Sequence, residues 1–128
     1  MAIALDPNRS HRYVLREDAS LPVEDQTVFL LRSLTVRDDE MIQNSKMVAS
    51  SGGEFRLQPG TEDLMTLRLG LIGVENFRDG AGKMVHFDAD KAGRVTDAFL
   101  SRLKKEWRSE IADQIRTLNA LTVDEKKA

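Results

Sequence analysis

The sequence predicts an α+β fold: a small antiparallel sheet from the N-terminal strands with three main helices, the C-terminal one long and amphipathic. Three observations carry that expectation. Two short stretches near the N-terminus alternate apolar residues between two faces, as strands do. Threonines at 35, 61 and 96 each stand just ahead of a helical pattern, where a hydroxyl can accept from the first free backbone N–H groups. The stretch from Thr96 to Leu121 contains neither Gly nor Pro and repeats apolar residues every three or four positions.

The first strand runs from His11 to Arg16, with Tyr13 and Leu15 on one side and Val14 on the other, a pattern that suits a short edge strand. A loop holding Asp18, Ser20, Pro22 and Asp25 leads to the second, Gln26 to Leu34. There Val28, Leu30 and Leu34 share one face and Phe29 and Leu31 the other, so this strand is expected to be buried on much of both faces. The connection is shorter than the dozen or so residues a parallel crossover needs, and the two strands are therefore expected to pair antiparallel.

Thr35 is placed to cap a helix, with Asp38, Asp39 and Glu40 in the first turn, where negative charge suits the positive end of the helix dipole. Met41, Ile42, Met47 and Val48 give it an apolar face, and it should stop before Ser50-Ser51-Gly52-Gly53. Glu54 to Gln58 reads as a short third strand ended by Pro59-Gly60. Thr61 then caps a central helix with Glu62 and Asp63 just inside it. Leu64, Leu67, Leu71 and Val74 follow helical spacing, and Met65, Leu69 and Ile72 add a second stripe. A helix from Leu64 to Val74, covered on most of its circumference, is the expectation. Asn76 to Gly82 gathers turn-forming residues, Met84 to Phe87 returns as a short strand, and Asp88 to Gly93 is a second turn.

In the last helix Phe99, Leu103, Trp107, Ile111, Ile115, Leu118 and Thr122 form one narrow stripe on a charged background. As a single helix, Thr96 to Leu121 would be roughly 39 Å long at about 1.5 Å per residue, longer than a compact domain of this size is wide. Either it breaks near Lys104 to Trp107, or part of it projects. The stripe itself admits two roles. It packs against the sheet of its own domain, or its later half presents Trp107, Ile111, Ile115 and Leu118 to a partner, with the aromatic ring as anchor.

With 128 residues the chain has the length of one domain, here residues 1–123 with a polar tail at 124–128. Aromatic residues are only 5% of it, so the core should be built mainly from Leu, Val, Ile and Met. A net charge of −2 spread over 31% charged residues describes a mixed-sign surface and argues against nucleic-acid binding. The absence of cysteine removes disulfides, thiolate zinc sites and thiol catalysis. Few apolar residues precede Asp6 and Pro7, and no later run approaches the roughly 18 needed to span a membrane, so neither secretion nor membrane insertion is expected. No internal repeat is expected.

No pattern in the chain supports a catalytic or cofactor site. Gly80 and Gly82 begin like a dinucleotide loop, but Val85 stands at the third glycine and no Lys-Ser/Thr pair follows. Asp88, Asp90 and Gly93 fit positions one, three and six of a calcium loop, yet Ala92 and Phe99 occupy two ligand positions, which leaves a turn followed by a helix cap. His11 and His86 lie in separate segments without a ligand set. The chain is expected to be non-catalytic and free of cofactors and metals.

One segment adds a resemblance. Arg68-Leu69-Gly70-Leu71-Ile72-Gly73-Val74-Glu75-Asn76-Phe77-Arg78-Asp79, followed by Gly82 and Val85-His86-Phe87, resembles a phrase of the tail assembly chaperones of long-tailed bacteriophages. There a leucine, any residue, glycine, an aromatic, any residue, asparagine and phenylalanine precede a short acidic-glycine loop and a phenylalanine. The opening Met1-Ala-Ile-Ala-Leu-Asp-Pro, the early strand pair and the long last helix also fit. Val74 departs from it, standing where the related proteins often carry tryptophan, and implies a differently packed helix end. The resemblance implies a non-catalytic protein of the host cytoplasm, absent from the mature virion, that binds and solubilises the tape measure protein and promotes tail tube polymerisation. Self-association is expected, many weak copies coating one long partner. It also implies a longer form, made by frameshifting and able to recruit the tail tube protein, for which Glu125-Lys126-Lys127 offers an A-rich site if the codons allow. The alternative is a structural virion component, a tail-completion or connector protein.

Overall fold

The computed structural model describes residues 10–50 and 59–124, with side chains placed at 10–44 and 62–118. Strands β1 (His11–Val14), β2 (Val28–Leu31) and β3 (Leu71–Glu75) form an antiparallel sheet with β2 in the middle. The expected α+β class and the expected antiparallel pairing of the first two strands are both present. His11 stands opposite Leu31 and Val14 opposite Val28. Between β1 and β2 the chain makes two single 3₁₀ turns, Arg16–Asp18 and Val23–Asp25, and the Thr27 N–H donates to the Asp18 carboxylate at 3.2 Å.

Helix α1 (Val36–Ser50) opens with the Thr35 cap in reciprocal form. The Asp38 N–H donates to the Thr35 hydroxyl at 3.1 Å and the Thr35 N–H donates back to the Asp38 carboxylate at 2.9 Å, so two otherwise orphaned donors are satisfied by local side chains. Arg32, just past β2, reaches the same carboxylate oxygen at 3.0 Å. Burial alone would raise the Asp38 pKa. The Thr35 N–H, the Arg32 guanidinium and the Thr35 hydroxyl outweigh it and hold this carboxyl below its usual range.

Two expectations for the central segment are corrected. Helix α2 spans Pro59–Gly70, so Thr61 lies within it and does not cap it. Proline suits a first helical position because its φ is already right and the N–H it lacks would have had no partner. The helix also ends at Gly70, and Leu71 to Val74, expected to continue it, belong to β3 instead. A short apolar run satisfies helix and strand periodicity alike, and here the free edge of β2 decides. The two glycines make the change possible. A Cβ on Gly70 would stand 2.7 Å from Cγ2 of Ile115, and one on Gly73 would stand 3.0 Å from Cδ1 of Leu30. Leu71 pairs with Leu31 and Gly73 with Leu30, leaving Ile72 as the extra residue of a bulge. The third strand expected at Glu54–Gln58 lies outside the described residues.

From Asn76 to Thr96 there is no further strand, and Met84 to Phe87, expected as one, contributes only a single bridge from Met84 to Arg78. Thr96 caps a one-turn helix α3 (Asp97–Leu100), its hydroxyl accepting from the Phe99 N–H at 3.3 Å. The chain then turns at Ser101 to Lys104 and re-enters α4 (Lys105–Asp124). The long helix is therefore broken, just ahead of Lys104 to Trp107. Arg108 fastens the break by donating to the Leu100 and Leu103 carbonyls at 3.3 and 2.9 Å, the first of which also accepts from the Leu103 N–H at 3.1 Å.

Helices α2 and α4 lie together on one face of the sheet. Phe29 and Leu31 from the sheet, Leu67 from α2, and Ile111 and Ile115 from α4 are all at 0% exposure. Arg116 of α4 reaches Asp63 of α2 at 2.7 Å. Among the described residues no helix is long and apolar enough to cross a membrane.

Candidate functional site

The segment carrying the family resemblance builds a structural node. Asn76 ends β3 in the left-handed region, φ 57°, which asparagine reaches more cheaply than most residues. Its side-chain amide donates to the Glu24 and Gln26 carbonyls, both at 3.1 Å, while the Thr27 hydroxyl donates to the Asn76 carbonyl at 2.9 Å. One residue thus turns the chain and ties the β1–β2 loop to the end of β3.

That turn drives Phe77 into the core, where it is 7% exposed. Its ring lies 6.1 Å from Phe29, 6.0 Å from Phe99 and 6.3 Å from Trp107, centroid to centroid, all tilted or edge-on. Phe87 joins through Phe99 at 5.2 Å. Such pairs add to plain burial because the edge of one ring meets the electron-rich face of another. Five of the chain's seven aromatic residues therefore form one connected cluster within a core that is otherwise mainly Leu, Ile and Val, as the composition led one to expect.

Beyond Phe77 the chain makes the same turn twice. Asp79-Gly80-Ala81-Gly82-Lys83 and Asp90-Lys91-Ala92-Gly93-Arg94 lie eleven residues apart. In each the Asp Oδ1 accepts from the N–H two and four residues on, at 2.9 to 3.0 Å. In each the glycine has φ near 80°. Each is closed by a bridge between flanking residues, Arg78 with Met84 and Ala89 with Val95. This short repeat corrects the expectation of none. Its signal, Asp, any residue, Ala, Gly and a basic residue, is visible in the sequence. The turn and helix cap expected at Asp88 to Thr96 are present: Asp90 organises the turn, and the Asp88 carboxylate accepts from the Thr96 hydroxyl at 2.7 Å.

Among the described residues the surface carries several open depressions. One, of about 500 Å³, is lined by Arg16, Lys105, Glu106, Ser109, Glu110 and Asp113. Another, of about 390 Å³, lies against Asp79, Met84, His86, Asp88 and Arg102. Among the described residues no group of three or more His, Cys, Asp or Glu is placed to hold a metal ion.

No family model, curated protein or solved structure matches the chain.

Three of the four residues expected to meet a partner lie inside the chain's own core, Ile111 and Ile115 at 0% exposure and Leu118 at 9%. Trp107 is half-buried, with Lys104 Nζ 5.0 Å above its ring. The stripe takes the first of its two roles, because an amphipathic helix beside a small sheet gains most by burying its apolar face there. Two polar ties escaped the sequence reading, Tyr13 with Glu110 and Arg12 with Glu75. Both join residues more than sixty positions apart, and no local pattern announces them.

Proposed function

We propose that the chain is a non-catalytic tail assembly chaperone of a long-tailed bacteriophage. It binds the tape measure protein in the host cytoplasm, keeps it soluble, and promotes tail tube polymerisation without entering the mature virion. A longer, frameshifted form meets the tail tube protein. What supports the reading is the placement of the residues that carry the resemblance. Gly70 sits where a Cβ would clash with Ile115 and Gly73 where one would be tight against Leu30, Asn76 holds a left-handed turn with both amide hydrogens used, and Phe77 centres the aromatic cluster. That these residues of the phrase each meet a physical demand of the fold is the support for the reading.

The stripe of α4 being internal, tape measure binding falls to surfaces other than Ile111, Ile115 and Leu118. Weak sites multiplied along one long partner supply the holding strength through avidity. Mass spectrometry of purified particles tests the reading against a structural virion role. The chain is expected in infected-cell lysate and absent from particles; a stoichiometric band in mature virions would return it to the tail-completion or connector class.

A further inference from the structure

The loop between β1 and β2 is ordered by its own hydrogen bonds yet holds its apolar tip in water. The Leu21 N–H donates to the Asp18 carbonyl and the Asp25 N–H to the Pro22 carbonyl, both at 2.9 Å. The Gln26 side-chain amide donates to the Leu21 carbonyl at 3.0 Å, and Asn76 holds the Glu24 and Gln26 carbonyls. Between these ties Val23 is 81% exposed and Leu21 43% exposed, with Pro22 joining them. An apolar tip already fixed in place loses little conformational freedom when a partner covers it. Glu17, Asp18, Glu24 and Asp25 flank it, and no Lys or Arg lies between positions 17 and 25.

A second stretch carries the opposite charge. Ala98 to Lys105 holds Arg102, Lys104 and Lys105, all exposed, and no acidic residue. Arg102 forms one wall of the depression of about 390 Å³, whose apolar lining comes from Met84, Val85, Ala98 and Phe99. Met84 is 40% exposed and Ala98 is exposed, so this lining is open to a neighbour. The two carboxylates of the groove are engaged locally, Asp79 by the Ala81 and Lys83 N–H groups and Asp88 by the Thr96 hydroxyl. The tip is apolar with anions around it, and the groove is apolar with a cationic wall. The two are complementary in polarity and in charge. They belong to different segments, so a contact between them is heterologous and repeats from copy to copy rather than ending at a pair.

We propose that this chain self-associates head to tail, the Leu21-Pro22-Val23 tip of one copy seated in the Met84 groove of the next, with Glu24 and Asp25 against Arg102 and Lys104. The occupant is a second copy because the chain itself carries both the acidic apolar tip and the basic apolar groove. Three side chains cover far less than the roughly 800 Å² per partner of a standard interface, so each contact is weak. An open row of weak contacts suits the coating of one long partner, and the proposal deepens the chaperone reading by naming the surface that joins neighbouring copies. It rests on that reading for its purpose alone. Its test uses the purified chain without any tape measure protein, so either can fail without the other.

Sedimentation equilibrium of the parent chain up to about 1 mM should show association that continues past the dimer and weakens at high salt. Val23→Asp, Glu24→Arg and Arg102→Glu should each weaken it about tenfold or more, with circular dichroism unchanged because all three residues are exposed. Mixing the Glu24→Arg and Arg102→Glu chains should restore it. Each variant alone sets like charges together. In the mixture an altered tip meets an altered groove and a native tip meets a native groove, along an alternating row. A parent chain that stays monomeric at about 1 mM, or an association that ends at the dimer, would overturn the proposal. So would a Val23→Asp chain that associates as tightly as the parent, or a mixture no tighter than either variant alone.

Discussion

The Tyr13 hydroxyl donates to the Glu110 carboxylate at 2.5 Å, joining the edge strand of the sheet to α4 across 97 residues of chain. The same oxygen accepts from the Arg16 N–H at 2.9 Å, so one carboxylate fixes both the end of β1 and the start of the following turn. Burial first, then the hydrogen bond to Glu110 and its negative charge, push the Tyr13 phenol from 10.0 up to about 12. A raised folded-state value means that the tie is fully present below the unfolded value and is lost as pH rises through the folded one. Stability should therefore fall between about pH 10 and about pH 12. Ultraviolet titration of the single tyrosine reads this directly, and Glu110→Gln should move its midpoint back towards 10. A midpoint already near 10 in the parent would show that the tie is absent in solution.

Asp38 makes the opposite prediction at acid pH. Its carboxyl is held below the ordinary aspartate value of 3.8, so its contribution is present above that value and lost as pH falls through the lower folded one. Thr35→Ala and Asp38→Ala each remove part of one cap and should cost about 1 kcal/mol or more by urea denaturation at neutral pH. The Asp38 variant should lose less further stability than the parent below about pH 4. Equal acid sensitivity in both proteins would assign the acid step to other carboxyls.

At Asn76 two substitutions separate conformation from hydrogen bonding. Asn76→Gly and Asn76→Ala both lose the amide bonds to Glu24 and Gln26, but only alanine is strained at φ 57°. The alanine variant should be less stable than the glycine variant by about 1 kcal/mol. Equal melting temperatures would mean that the turn relaxes out of the left-handed region.

Gly70 and Gly80 form a similar contrast. A methyl group on Gly70 meets the fully buried Ile115 at 2.7 Å, whereas one on Gly80 meets nothing within 4 Å. Gly70→Ala should destabilise by about 1–3 kcal/mol through overpacking, and Gly80→Ala should be nearly neutral. If both were neutral, α2 would not approach α4 as closely as described.

Local chemistry made part of this fold legible. Thr35 and Thr96 cap helices because a hydroxyl and the free N–H groups of its own first turn need nothing distant. The pairing of β1 with β2 follows from alternation and from a connection, Leu15 to Thr27, that holds only single 3₁₀ turns and no helix long enough to carry a parallel crossover. The end of α2 was not legible, because Leu64 to Val74 fits either period and the deciding partner, the edge of β2, lies forty residues upstream. The meaning of Gly70 and Gly73 depends on Ile115 and Leu30, which only the folded chain brings near. The stripe from Trp107 to Leu118 was legible as a stripe. Its use was not, since a buried face and a docking face share one spacing.

The chaperone reading turns on whether this chain keeps a tape measure protein in solution. Co-expression with the tape measure protein of the same genome, followed by centrifugation and affinity purification through this chain, measures that directly. The account predicts that the tape measure protein moves from pellet to supernatant and co-purifies with several copies of the chain. A tape measure protein that partitions identically with and without it, and does not co-purify, would contradict the account.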